Sequence, residues 1–198
     1  MTTPEQRHRY ARELVEQLAD TWVGVRAERP RVEFTDKLCR NRGVFTRGTN
    51  TLRLADTSFV QKPGVDSDVV TGVVAHELGH WADARLRRDD TWCRVMLGVF
   101  SLSLVMWASG ELVRPWYHLP GAAVLATIAV GGVGMLVSVL VYARLSWGVE
   151  FRADRLAATR VGPGPVLAML HTGTRHKRGG LTHPSYPARV TRLGGAVP

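Results

Sequence analysis

The sequence predicts a mainly α-helical protein with a small β-sheet, an α+β fold that is interrupted by a two-helix transmembrane hairpin. Three observations carry this prediction. Residues 4–28 and 66–88 have helical patterns, and short strand-like runs lie between them. Two later stretches, 95–110 and 119–143, contain no charged residue. A length of 198 residues suits one domain with a small appendage.

The N-terminal segment, residues 4–28, is predicted to be an amphipathic helix. Tyr10, Leu14, Leu18 and Trp22 recur every four residues and form one apolar face. Packing of this face on the domain is favoured over a position on a membrane surface. The first 20 residues lack the apolar core of a secretory signal peptide, so a signal peptide is not expected.

Short strands are predicted next in the chain. The run RVEF at 31–34 favours one strand, and GVFTRGTNTLRLAD at 43–56 favours two strands around a turn at 47–50. A sheet of this size is an addition to a helical fold rather than its core.

The sequence HELGH, residues 76–80, lies inside the helix predicted over 66–88, which Asp66 or Ser67 is suited to cap. His76 and His80 stand one turn apart on the same helix face, so both imidazoles can reach one Zn²⁺ ion. Glu77 is placed to take a proton from a water molecule whose pKa zinc lowers toward about 7. HExxH also occurs by accident in unrelated proteins, so the identity of a third ligand decides its meaning.

The two uncharged stretches have the length of membrane spans. A bilayer core requires about 20 apolar helical residues, which 119–143 supplies fully and 95–110 supplies when extended to Val113. Aromatic residues lie near the ends of both stretches, as at membrane interfaces. A soluble protein of this size would have difficulty enclosing 25 uncharged residues on all sides.

The charges predict the orientation of the hairpin. Arginines precede and follow it, whereas its connecting loop has only Arg114. The positive-inside rule places this loop outside and both termini in the cytoplasm of a multi-pass plasma-membrane protein. Topology and anionic lipid then account for the net charge of +9, and no nucleic-acid partner is expected. Cys39 and Cys93 are interpreted as free thiols in a reducing compartment.

A third zinc ligand must come from elsewhere in the chain. The metzincin pattern HExxHxxGxxH fails, because Asp83 and Leu86 stand where Gly and His are needed. Asp83 is itself a minor candidate. Glu150 is the better candidate, because it lies on the helix that continues from the second span, and Asp154 four residues later shares its face. Solvated surface charges are the alternative interpretation of these two carboxylates. Gly162–Pro165 is expected to end this helix, with short helical segments after it.

Three separated motifs resemble those of the HtpX-like membrane metallopeptidases, which are related to the CAAX-prenyl endopeptidases. They are AHELGH at 75–80, EFRAD at 150–154 and THPSYPARVTRL at 182–193. The resemblance covers roughly residues 30–195 and implies a gluzincin-like zinc peptidase domain with one zinc ion per chain. It implies His76, His80 and Glu150 as zinc ligands and Glu77 as the general base.

The resemblance also implies roles around the metal. Asp154 would orient a ligand histidine, and His183 and Arg189 would stabilise an oxyanion or orient a ligand.

A substrate-binding strand is expected from the same resemblance. The family's edge strand usually begins Asn-Ala, and the corresponding stretch here is NRGVFT. Asn41, or Val44, Phe45 and Thr46, would then pair with an extended polypeptide by β-augmentation. HtpX proper has two further membrane segments before its catalytic part, where this chain has the amphipathic segment.

These patterns predict a membrane-anchored zinc endopeptidase acting at the cytoplasmic membrane face, with polypeptide substrates and a role in membrane-protein quality control implied by the resemblance. The expected organisation is an N-terminal part at 1–94, a hairpin at 95–143 and a completing segment at 144–198. Two alternatives stay open: a narrow-specificity regulatory peptidase resembling ImmA/IrrE, and a non-catalytic zinc-stabilised membrane scaffold, which the intact Glu77 disfavours. The sequence predicts no oligomeric state.

Overall fold

A computed structural model describes residues 4–22, 28–38, 42–55, 67–113, 121–172 and 179–194. The chain is mainly helical with one small mixed sheet, as the sequence predicted. It divides into two compact units. The first comprises Met1–Ala84, Val149–Gly180 and Pro184–Pro198, and the second comprises Arg85–Gly148 and Leu181–His183.

The sheet of the first unit contains β1 (Arg31–Thr35), β2 (Gly43–Thr46) and β3 (Thr51–Ala55) in the order β1-β3-β2. β1 runs parallel to the central β3, and β2 runs antiparallel to it. A 3-10 turn at Arg47–Thr49 joins β2 to β3 and ends at Asn50, which adopts the left-handed conformation that Asn tolerates. The two strands and turn predicted from the sequence are therefore present, and β2 is an edge strand.

Helix α1 (Pro4–Asp20) packs on the first unit through one face. Ala11, Val15, Ala19 and Trp22 are buried there, with Leu14 and Leu18 packed at the margin. Tyr10 is 46% exposed, so its predicted place on the apolar face was wrong. The buried positions Ala11, Val15 and Ala19 each follow a predicted position by one residue, so small side chains form the centre of the packed face and Leu14 and Leu18 form its margin.

Helix α2 (Ser67–Ala82) is the centre of the first unit and contacts α1, β2 and α5. It is buried nearly all round, as expected for a helix with little polar surface. At Gly72 an added Cβ would overlap the carbonyl of Pro165, so the missing side chain allows α5 to approach closely. The helix ends at Ala82 and not at residue 88 as predicted, because a turn at residues 84–85 separates it from the next helix, which begins at Leu86.

The remaining helices are α3 (Leu86–Val113), α4 (Gly121–Val161), α5 (Pro163–Thr172) and α6 (Tyr186–Arg192). α4 carries the second uncharged stretch and continues to Glu150 without interruption. Gly162 stops it with a φ of 80°, a conformation open to glycine at low cost. The predicted break is therefore confirmed.

Two of the helices, α3 and α4, are long and apolar enough to cross a membrane. Within the second unit they meet along small side chains: a Cβ on Gly131 or Gly134 would overlap the Ser103–Trp107 region of α3. Ser138 is buried on the same side. Most of the large apolar side chains on the other faces are exposed, for example Leu97, Leu102, Val105, Leu125, Val133 and Leu136.

Candidate zinc centre and active site

The candidate site is built from three helices of the first unit. α2 supplies His76, Glu77 and His80, and α4 supplies Glu150 and Asp154. His76 and His80 stand one turn apart on α2, and Glu150 and Asp154 stand one turn apart on α4, so each pair shares one helix face. α6 adds Arg189. All but His80 are buried, and His80 is only partly exposed.

His76, His80 and Glu150 form the metal-type cluster among the described residues, with one ligand atom from each lying within 4.8 Å of the others. The two imidazole Nε2 atoms are 3.2 Å apart. The Glu150 carboxylate faces both, with Oε2 3.6 Å from His76 Nε2 and Oε1 3.6 Å from His80 Nε2. Tetrahedral zinc with bonds near 2.0–2.1 Å separates its ligand atoms by roughly 3.3 Å. The donor set and its spacing therefore fit one Zn²⁺ ion.

A chain of hydrogen bonds fixes the orientation of His76. Its Nδ1 donates to Asp154 Oδ1 at 2.9 Å, which leaves Nε2 directed at the cluster. Arg189 in turn donates to Asp154 from two nitrogens, Nε to Oδ2 at 2.7 Å and Nη2 to Oδ1 at 2.6 Å. Such a bidentate pair fixes both partners geometrically. Asp154 is therefore held between Arg189 and His76. Its bond to Nδ1 fixes His76 in the tautomer that a metal ligand requires.

The pKa values of the two histidines are shifted in opposite directions from the ordinary value. Burial lowers the pKa of His76, but hydrogen bonds to Asp154 and Glu150 outweigh burial and raise this pKa to about 10. Burial and the neighbouring charge of His76 lower the pKa of His80 to about 4. Two imidazole nitrogens 3.2 Å apart cannot both carry a proton at neutral pH. The two Nε2 atoms therefore share one proton at neutral pH, and a bound metal ion takes the place of this proton.

The acidic groups are held ionised by their neighbours. Burial raises the pKa of Glu150, but the hydrogen bond and charge of His76, with the charges of His80 and Arg189, lower it well below its usual range. The pKa of Asp154 is likewise lowered, because hydrogen bonds from Arg189 and His76 outweigh burial. Both carboxylates are thus anionic at neutral pH and available as ligand and orienting group.

Glu77 lies on the other side of the cluster, against the sheet. Its Oε2 accepts a 2.8 Å hydrogen bond from the backbone N–H of Phe45 in β2. Burial and the neighbouring Glu150 raise its pKa, while His76, the Phe45 N–H and Arg189 lower it, with a net rise. A carboxylate with a raised pKa is a better proton acceptor than a surface glutamate, as a general base needs.

Two contacts bring α2 and α4 together beside the cluster. Gly79 packs against the α4 backbone: a Cβ there would lie 2.6 Å from the carbonyl oxygen of Ala153. One turn along α2, the buried Asp83 accepts a 2.9 Å hydrogen bond from Arg152 Nε. Asp83, the minor candidate ligand, is therefore not in the metal-type cluster of the described residues, and its carboxylate is bonded to Arg152.

The other predicted site residues have varied outcomes. Asn41 lies outside the described residues. Val44, Phe45 and Thr46 all lie in the edge strand β2. His183 belongs to the second unit, where its Nδ1 lies 2.9 Å from the Thr182 hydroxyl oxygen. Gly43, which the sequence interpretation did not single out, packs directly on Glu77; a glycine at the start of a predicted strand was the available signal.

An HExxH helix joined by a glutamate from a second helix defines a zinc metallopeptidase site. The comparison with known families agrees: residues 11–197 match the model of Peptidase family M48. Because this match spans nearly the whole chain, the protein belongs to Peptidase family M48, whose members are hydrolases that bind zinc. Neither a curated protein nor a solved structure gives a significant match.

Proposed function

We propose that this M48 peptidase is a membrane-anchored, HtpX-like zinc endopeptidase that cleaves polypeptides at the cytoplasmic face of the plasma membrane. The observation that carries the proposal is the convergence of His76 and His80 with Glu150, which stands seventy positions after His80, around one point beside Glu77. A scaffold that only bound zinc would have no use for a buried glutamate adjacent to the ligands.

In this mechanism His76, His80 and Glu150 hold zinc. When bound, zinc activates water and polarises the carbonyl of the scissile peptide bond. Glu77 accepts the proton of the attacking water and passes it to the leaving amine. Asp154 and Arg189 act through His76 by fixing its ring and tautomer.

The role of Arg189 is orientation rather than direct stabilisation of an oxyanion. Two of its nitrogens are bonded to Asp154, and Nη1 lies 3.5 Å from Glu150 Oε2. Its positive charge is therefore neutralised by the carboxylates of Asp154 and Glu150. For His183 the family resemblance alone supports a role near the reacting carbonyl.

The division of the peptidase domain follows from the same proposal. Residues 1–94 and 144–198 form the peptidase domain, and the hairpin at 95–143 interrupts it. The exposed apolar side chains of α3 and α4 support a lipid environment, because an apolar surface of this extent is not stable in water. Arginines at both soluble ends of the hairpin support a cytoplasmic active site and cytoplasmic termini.

Substrates are proposed to bind as an added strand along β2, which is the last strand on its side of the sheet among the described residues. The Phe45 N–H is already bonded to Glu77, so a peptide strand pairs with the remaining outward groups of β2. By resemblance to the HtpX-like family, the substrates are misfolded membrane proteins or exposed cytoplasmic segments. The family match to M48 favours this assignment over the ImmA/IrrE-like alternative.

The decisive experiment compares the detergent-solubilised wild-type protein with Glu77→Gln. We expect the variant to lose proteolysis of an unfolded protein substrate while still binding about one equivalent of zinc, because Glu77 is not a ligand. Undiminished cleavage by Glu77→Gln would reject the mechanism. Loss of zinc from this variant would instead show that Glu77 belongs to the ligand set.

Topology needs a separate test. A reporter or cysteine label at Tyr117 is expected to be accessible only from outside the cell, and one at Pro198 only from the cytoplasm. The reverse pattern would overturn the cytoplasmic placement of the active site.

A further inference from the structure

The carboxylate of Glu77 is held by the main chain of β2 as well as by its own helix. The Phe45 N–H bonds to Oε2 at 2.8 Å. Two residues earlier, Gly43 faces the Glu77 side chain so closely that an added Cβ would lie 2.5 Å from Cγ and 3.2 Å from Cδ. Two alternate positions of β2 thus contact Glu77: Phe45 supplies a hydrogen-bond donor, and Gly43 leaves the space that the glutamate side chain occupies.

The strand register explains why this N–H is available. Within the described residues, β3 is the strand with which β2 pairs. The Ala55 N–H bonds to the Arg42 carbonyl, so residues 42, 44 and 46 direct their polar groups toward β3. Gly43 and Phe45 direct theirs away from β3, where Glu77 accepts the Phe45 N–H. The bond to Glu77 therefore removes nothing from the sheet.

The geometry points to Gly43 and the Phe45 N–H as positioning elements for the general base: the edge strand fixes Glu77 in the rotamer that serves catalysis. With Oε2 occupied by Phe45, Oε1 is the oxygen that accepts the proton. This inference rests on the proposed role of Glu77 and adds that β2 contributes to the rate of the chemical step, and not only to peptide binding.

Gly43→Ala tests the space. The new Cβ forces the Glu77 side chain to move, and a misplacement near 1 Å costs about 100-fold in rate. We expect kcat to fall by about this factor with KM little changed and zinc still bound at about one equivalent. Gly48→Ala is the matched control, because Gly48 lies in the turn after the same strand and a Cβ there meets nothing within 4 Å.

Phe45→Pro tests the donor. Proline removes the N–H that faces Glu77 but no bond of the β2–β3 ladder, a position where an edge strand tolerates proline. Phe45→Leu keeps the N–H but loses the aromatic ring, which packs against the core, so it measures what the ring contributes. We expect kcat to fall further in Phe45→Pro than in Phe45→Leu, and an equal kcat in the two variants would refute the role of the donor.

Amide NMR gives a readout that does not depend on activity. Selective ¹⁵N-phenylalanine labelling gives five backbone signals, one for each phenylalanine. The Phe45 amide proton is expected to move upfield in Glu77→Ala and in Gly43→Ala, and to stay in place in Gly48→Ala. This measurement applies to zinc-free protein and still tests the bond if Phe45→Pro fails to fold.

The outcomes separate this inference from the function on which it rests. Cleavage by Glu77→Gln would remove the proposed general base. If Glu77→Gln is inactive but Gly43→Ala matches the wild type in kcat, or the Phe45 amide does not respond to Glu77→Ala, the function stands and the positioning role of β2 is refuted.

Discussion

The approach of α2 to α4 at Gly79 sets the distance between the HExxH histidines and Glu150, so Gly79→Ala should weaken zinc binding without touching a ligand. In the native packing an added Cβ would lie 2.6 Å from the Ala153 carbonyl oxygen and 3.0 Å from its Cα. Both atoms belong to the backbone, so no side chain can rotate away. The two helices must separate to accept the methyl group.

The size of the effect follows from these distances. Ordinary contact begins near 3.4 Å, so the shortfall at the Ala153 oxygen is about 0.8 Å. Zinc sites tolerate deviations of about 0.2 Å in their ligand distances. Disturbing groups that support the ligands typically lowers metal affinity about 10- to 100-fold. Alanine gains about 1 kcal/mol of helix propensity over glycine, and overpacking costs about 1–3 kcal/mol, so the net loss of unfolding free energy is about 0–2 kcal/mol. The loss of zinc affinity corresponds to about 1.4–2.8 kcal/mol.

Zinc affinity is measured by competition with a chromophoric chelator, and the visible absorption of the Co²⁺-substituted protein reports the coordination geometry. Gly164→Ala in α5 is the matched control, because a Cβ there meets nothing within 4 Å. We expect weaker binding and an altered cobalt spectrum in Gly79→Ala only. Native affinity and a native spectrum in Gly79→Ala would refute the argument that this contact sets the ligand spacing.

Three further predictions concern the same centre. The pKa values of His76 and His80, about 10 and about 4, imply that zinc displaces one proton from this pair between about pH 5 and 9. Zinc affinity should therefore rise about tenfold per pH unit across this range, and a pH-independent affinity would contradict the shared proton. Arg189→Lys keeps the charge but loses the paired bonds to Asp154, so zinc affinity should fall about 10- to 100-fold in the same competition assay. An unchanged affinity would show that the Arg189–Asp154 pair does not support His76 as a ligand. Asp83→Asn should lower the thermal unfolding temperature and leave zinc stoichiometry at about one equivalent, whereas loss of zinc would restore Asp83 as a ligand.

Much of the local structure follows from the sequence. Helical spacing placed His76 and His80 on one face of α2, and the same spacing placed Glu150 and Asp154 on one face of α4. The turn between β2 and β3 was predictable because glycine and asparagine suit its backbone. Two uncharged stretches predicted the long apolar helices, since their length and composition alone decide this property.

Tertiary structure decided how these pieces meet. Residues 76 and 150 are brought together because Gly79 lets α4 approach α2, and no local pattern specifies that distance. The same holds for the end of α2, where Asp83 is bonded to Arg152 and does not reach the metal cluster. The proposed role of Glu77 as general base follows from its place in HExxH. The contact of Glu77 with the Phe45 N–H was not predictable, because a backbone donor has no residue-type signature and is fixed only by the register of a strand.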